Sequence, residues 1–303
     1  MVKKSILAAF ALAAIAYAIA VFQINPSQPS DTIRLSVNLT LVHAAVLDRS
    51  GQFVSGLGKS DFQLFVDGAP HPITVFERDD APVAAGILVD NSASMIAKGP
   101  QVVAAALSFA RSSNPQDEMF VIHFSDQIRP GLPPAKPFTG NITELETALS
   151  RFSAAGTTAL YDAVASGISQ LGKAELERKV LLIISDGGDN SSEQPLSVVL
   201  KSAQRARIVI YCVGIYDDAD LDRNPRVLTE FAELTGGRAF FPSQLAEVTE
   251  TCVKIAGIIR QQYTLGFAGA QDGDYHPIKI TAYDRRHGAL DVRTRAGYFA
   301  LRP

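Results

Sequence analysis

The sequence predicts an α/β fold: a doubly wound, mostly parallel sheet with helices on both faces, plus a small β unit drawn from the N- and C-terminal segments. Two observations carry this. Between residues 83 and 234, unbroken apolar runs alternate with stretches of helical length, the pattern of strands buried on both faces and linked by crossover helices. On either side of that block, apolar and polar residues alternate one by one, which marks strands with one wet face.

The chain begins with a leader, residues 1–24. Lys3 and Lys4 precede an unbroken apolar run over residues 6–22, and Ala18-Ile19-Ala20 offers a small-x-small cleavage site. A charged start followed by such a run reads as a secretory signal peptide. The same run also reaches the lower length limit for a bilayer-spanning helix. A cleaved signal and an N-terminal membrane anchor through residues 5–24 both fit, and both imply export to the periplasm or cell envelope.

Residues 31–78 read as β-rich. Ile33, Leu35, Val37, Leu39 and Leu41 are apolar, while Arg34, Ser36, Asn38 and Thr40 are polar, so the second set is expected on the wet face. Asp48-Arg49-Ser50-Gly51 and Asp67-Gly68 are turn signals, with short β-rich runs at 62–66 and 73–76. Residues 82–262 form the expected α/β domain. Its strands are predicted at 83–89, 119–124, 180–184 and 208–215, and its helices at 101–111, 144–152, 159–171, 196–205 and 226–234. Alternation returns in 263–303, where Ile278, Ile280 and Ala282, then Leu290 and Val292, interleave with polar residues. Each β-rich segment is too short to bury much alone, so the two are expected to pack together.

Composition narrows the function. The chain is 47% apolar and 19% charged, with 28 basic against 31 acidic residues and a formal net charge of −3. No Lys/Arg run appears beyond the leader, so nucleic acid, which needs a concentrated basic face, is not expected as a partner. Two cysteines cannot build a disulfide framework. Cys212 falls in a strand pattern and Cys252 in a helical one; buried free thiols are the default, a disulfide the alternative. His43, His71, His123, His276 and His287 are scattered without metal-ligand spacing, and His123 reads as a satisfied core residue.

Chemistry is expected where strands end. In an open parallel sheet, ligands bind outside the carboxyl edge. One predicted strand runs into Asp90-Asn91-Ser92-Ala93-Ser94, and another into Ser185-Asp186-Gly187-Gly188-Asp189. Ala155-Gly156-Thr157-Thr158 opens the helix between them and can reach the same edge. Asp90, Ser92, Ser94, Thr158 and Asp186 are hard oxygen donors, a set that suits Mg²⁺ far better than zinc or copper. Two carboxylates balance the ion's charge and the hydroxyls add none. A position left to water would then attract a carboxylate from outside.

At these residues the sequence resembles the von Willebrand factor A family. Asp90-x-Ser92-x-Ser94, Thr158 and Asp186 match its metal-ion-dependent adhesion site. The resemblance implies direct Mg²⁺ or Mn²⁺ binding by Ser92, Ser94 and Thr158, with Asp90 and Asp186 bound directly or through water. It also implies a protein partner whose Asp or Glu side chain completes the shell. One departure is Gly156-Thr157, where two glycines commonly precede the threonine. Leu57-Gly58-Lys59-Ser60-Asp61-Phe62, Gln262-Tyr263-Thr264-Leu265-Gly266-Phe267 and Arg295-Ala296-Gly297-Tyr298 look like acidobacterial exported proteins of the family.

Other motifs carry less. Gly58-Lys59-Ser60 lacks the first glycine and the strand–helix context of a phosphate loop, and reads as a turn. Asp218-x-Asp220-x-Asp222 lacks the glycine and the bidentate Glu of a calcium loop; it reads as a solvated acidic loop flanking the metal. No Gly-x-Ser-x-Gly elbow or Gly-x-Gly-x-x-Gly motif is present, so no catalytic residue and no dinucleotide site is expected. An exported, metal-dependent protein-binding module is the leading expectation. The alternatives are a metal-assisted hydrolase and a structural envelope domain with a vestigial site.

Overall fold

The computed structural model describes residues 39–78, 80–216 and 223–302. The leader, residues 33–38 of the alternating segment and the 218–222 loop lie outside the described residues. Among the described residues no helix is long and apolar enough to cross a membrane.

The chain enters through β1 (Leu39–Leu47), β2 (Phe62–Val66), β3 (Ala69–His71) and β4 (Val75–Glu77). The α/β domain follows: β5 (Ala84–Asp90), α1 (Gly99–Ser112), β6 (Glu118–Phe124), β7 (Ile128–Pro130), α2 (Ile142–Leu149), α3 (Leu160–Leu171), β8 (Lys179–Ser185), α4 (Leu196–Arg205), β9 (Val209–Gly214), α5 (Pro225–Thr235), β10 (Ala239–Phe240) and α6 (Ala246–Arg260). Its sheet has the order β10-β9-β8-β5-β6-β7. All neighbours are parallel except β7, an antiparallel edge strand. Every residue of β5 is buried, as are all of β8 after Lys179, so the unbroken apolar runs are strands covered on both faces. The helices pack as two groups, α1 with α2 and α6, and α3 through α5 in succession. The sequence reading leaves out α6 as an element. Its Val248, Cys252, Ile255 and Ile259 recur at helical spacing and are buried.

The chain then returns through β11 (Tyr263–Ala268), β12 (Tyr275–Asp284), β13 (Gly288–Ala289), β14 (Asp291–Arg293) and β15 (Gly297–Phe299). The two ends of the sequence interleave: one sheet runs β14-β1-β11-β4, the other β13-β12-β2-β3 with β15 beside β12. The sheets close on one shared core that includes Val42, Phe62, Leu64, Tyr263, Phe267, Ile278 and Ile280. Tyr263 lies at its centre, with the Phe53, Phe62 and Phe76 rings 5.1–5.9 Å away. Its hydroxyl donates to the Val54 carbonyl at 3.0 Å and accepts from the Leu57 N–H at 3.2 Å.

Strand β1 keeps period two but in the opposite phase to the one expected. Thr40 is 4% exposed and Leu39 44%. The reason is that β1 is covered on both faces: Val42, Ala44 and Val46 join the β-unit core, while Ala45 joins the α/β core. The long apolar series sets the phase, and Thr40 follows it inward. Likewise the run through Leu290 and Val292 is not one strand. β13 pairs with β12 and β14 with β1, so the chain changes sheet between them.

The remaining sequence features resolve simply. Lys59–Asp61 is a short 3-10 turn in which Asp61 accepts from the Gly58 N–H at 2.7 Å. Cys212 and Cys252 are free and buried. Burial pushes both thiols up, Cys252 to about 12, which leaves them without thiolate at ordinary pH.

Candidate metal centre

Crossovers leave β5 and β8 toward opposite halves of the sheet, so the crevice at their carboxyl ends is the topological switch point. Asp90 closes β5 and is fully buried. Its Oδ1 accepts from the Ser92 N–H at 2.9 Å and its Oδ2 from the Ser185 hydroxyl at 2.5 Å. Burial, then the nearby Asp186 carboxylate, push the Asp90 carboxyl up to about 6, against the pull of the Ser185 and Ser92 hydrogen bonds.

Asp186 follows β8 and is 2% exposed. The Ser94 hydroxyl donates to its Oδ2 at 2.5 Å, and Ser94 Oγ lies 3.0 Å from Ser92 Oγ. Three oxygens from segments 92 residues apart thus form one continuous chain. The Gly188 N–H donates to Asp186 Oδ1 at 2.9 Å, and the Asp186 carbonyl accepts from the Asn224 N–H at 3.0 Å. Asn224 caps α5 through its side chain, so the Asp186 loop is anchored to a helix start. Gly187, at φ +80°, packs so tightly there that a Cβ would lie 2.4 Å from the Asn224 carbonyl oxygen.

Thr158 is 6% exposed, whereas Thr157 is exposed. The Thr158 N–H donates to Asn190 Oδ1 at 2.8 Å, and its carbonyl accepts from the Asn190 and Ser191 N–H groups. The start of α3 is capped from the same loop: the Tyr161 N–H donates to Asp189 Oδ1 and Ser192 Oγ. Asp162 answers by accepting from the Glu193 and Gln194 N–H groups. On the other side, the Ala93 N–H donates to the Gly156 carbonyl and the Ala155 N–H to that of Asn91. Backbone hydrogen bonds therefore lock the three loops bearing the predicted ligands to one another.

Ser185, Asn190, Asp189 and Ser192 were not assigned roles from the sequence. Ser185 stands in the Ser185-Asp186-Gly187 run, but its partner is 95 residues away and leaves no local signature. His123, in β6, is a satisfied core residue: its Nε2 donates to the Ala148 carbonyl at 2.9 Å and its Nδ1 accepts from the Asn91 amide at 3.2 Å. Burial holds it below the ordinary histidine value.

The residues fit a hard dication. Two buried carboxylates, Asp90 raised by burial and then by Asp186, sit beside neutral hydroxyls, and a divalent ion would relieve that repulsion. Among the described residues no three His, Cys, Asp or Glu side chains gather as a metal site.

A von Willebrand factor type A domain model matches residues 86–252, more than half of the chain. The chain belongs to that family. Its fold is similar to that of a von Willebrand factor type A protein from Catenulispora acidiphila, with a TM-score of 0.55 and 14% identity over 76% of this chain and 74% of that one. It is also similar to proximal thread matrix protein 1 from the mussel byssus, solved with a zinc-occupied MIDAS motif, with a TM-score of 0.51 and 15% identity over 64% of this chain and 49% of that one. At such identities the likeness is one of fold. No curated protein matches the chain.

Proposed function

We propose that this von Willebrand factor type A protein is an exported, non-enzymatic protein-binding module. It captures an Asp or Glu side chain of its partner through a Mg²⁺ or Mn²⁺ ion held by Asp90, Ser92, Ser94, Thr158 and Asp186. The observation that carries this reading is the Ser92–Ser94–Asp186 oxygen chain at the switch point, beside a buried Asp90 that Asp186 pushes upward. The zinc-occupied motif of the mussel protein supports a divalent ion in such a fold.

Bound there, the dication supplies a Lewis-acid position for an incoming carboxylate. The chain's own residues set its selectivity. Ser185 and the Ser92 N–H keep Asp90 oriented, and the Gly188 N–H does the same for Asp186. Ser92, Ser94 and Thr158 add donors without charge, so the ion keeps an appetite for an anion. His123 is engaged at both nitrogens and offers no base to the site. Export to the periplasm or cell envelope rests on the leader.

The test is calorimetry of Mg²⁺ and Mn²⁺ with the full chain and with Ser92→Ala, followed by capture from the envelope fraction with and without EDTA. Metal binding lost in Ser92→Ala, and capture lost in EDTA, are expected. Identical titrations of the two proteins would overturn the reading.

A further inference from the structure

At the opposite end of the sheet, the seam between the β unit and the α/β domain holds a partly open cavity of about 350 Å³. Its walls join Leu39, Leu41 and His43 of β1 to the amino ends of β8 and β9 and the carboxyl ends of α4 and α5. The seam is held by close backbone approach. At Gly236, just past α5, a Cβ would lie 2.2 Å from the Arg295 backbone nitrogen, so the segment before β15 lies directly on that helix end.

Arg295 is carried into the cavity wall by this contact. Its guanidinium donates to the Leu41 carbonyl at 2.8 Å, but its buried Nε has no partner. Burial and the neighbouring Arg207 hold Arg295 down to about 10, the direction for a cation lacking a counter-ion. Arg207 lines the same cavity and adopts φ +56°, a strained conformation for a side-chain-bearing residue. Lys179 adds a third cation. Two carboxylates, Glu175 and Glu177, also line the cavity, yet neither they nor any described carboxylate forms an ion pair with the three cations. His43 is held down to about 4 by burial and by Arg178 and Arg295, and is neutral. The surplus is one positive charge. The rest of the wall includes Leu39, Leu41, Leu176 and Leu234.

We propose that this cavity binds a small monocarboxylate with an apolar body, its carboxylate on Arg295 and Arg207 and its chain against the leucines. An unpaired buried donor beside a second cation is the arrangement that recognises a planar oxyanion. A single surplus charge matches a monoanion rather than a phosphate dianion. The volume is at the lower end of small-molecule sites. The proposal is independent of the metal centre.

The probe is hexanoate, titrated into the full chain by calorimetry and ligand-observed NMR. Hexanamide serves as the neutral isostere and inorganic phosphate as the competing anion. Saturable hexanoate binding is expected, with hexanamide and phosphate at least about tenfold weaker. Arg295→Gln should lose binding. Arg207→Gly removes a charge while relieving the positive φ, so it should stay folded and weaken binding about tenfold. No binding at millimolar hexanoate, equal binding of hexanamide or phosphate, or unchanged affinity in Arg207→Gly would each overturn the proposal.

Discussion

Replacing Gly187 by Ala tests how rigidly the Asp186 loop is held. Two costs add. At φ +80° an L-residue pays about 1 kcal/mol or more that glycine does not. The new Cβ would also lie 2.4 Å from the Asn224 carbonyl oxygen and 3.0 Å from Leu228 Cγ. The carbonyl cannot retreat cheaply, because the Asn224 N–H is bonded to the Asp186 carbonyl and its side chain caps α5. Relief therefore opens the helix start or displaces Asp186, an overpacking cost of about 1–3 kcal/mol. The sum is about 2–4 kcal/mol, or a fall in Tm of about 3–6 °C for a chain of this size. Gly68→Ala is the control: its φ is +79° and nothing lies within 4 Å, so it carries the backbone cost alone. Thermal unfolding and Mg²⁺ calorimetry on both variants give the comparison. If Gly187→Ala costs no more than Gly68→Ala, or leaves Mg²⁺ affinity untouched, the loop is not clamped as described.

Ser185→Ala removes the hydroxyl that Asp90 Oδ2 accepts from and that itself accepts from the Gly187 N–H. A loss of about 1–3 kcal/mol in urea unfolding and weaker Mg²⁺ binding at neutral pH are expected; an unchanged midpoint refutes it. Tyr263→Phe keeps the central ring of the β unit but strands the Leu57 N–H and Val54 carbonyl. The denaturation midpoint should drop by the equivalent of about 1–3 kcal/mol with the m-value unchanged. His276 bonds to Asp272 and Asp67, which raise its pKa above 6.5. Its stabilisation is thus complete below the ordinary value and is lost as pH climbs through the raised one. Amide protection factors in β12 and β15, which remove the intrinsic pH dependence of exchange, should fall across that interval, and Asp272→Asn should flatten the fall.

The sheet was legible because strands covered on both faces leave unbroken apolar runs, and β5 and β8 are such strands. Asp90, Ser92, Ser94, Thr158 and Asp186 stood out because each sits at or just past a strand end or a helix start. What escaped was non-local. Ser185 meets Asp90 across 95 residues, and Asn190 meets Thr158 across 32; no spacing rule encodes either pair. The phase of β1 was misread for a related reason. Period two shows that one face differs from the other, but β1 has a core on each side, and alternation cannot tell which core takes which face. The break between β13 and β14 escaped because a chain changing sheets keeps its alternation throughout.

A sheet buried on both faces has no chemistry to offer along its length, so polar work falls to the strand ends. Parallel strands sharpen this division, since all their carboxyl ends meet at one edge and all their amino ends at the other. β8 carries both: Lys179 opens it at the seam cavity, and Ser185 closes it at the candidate metal centre. The carboxyl edge gathers oxygen donors, the amino edge guanidinium and ammonium groups. Stability alone would favour pairing these charges internally, since an unpaired buried charge is costly. Under the two proposals, β8 would span a cation site at one end and an anion site at the other.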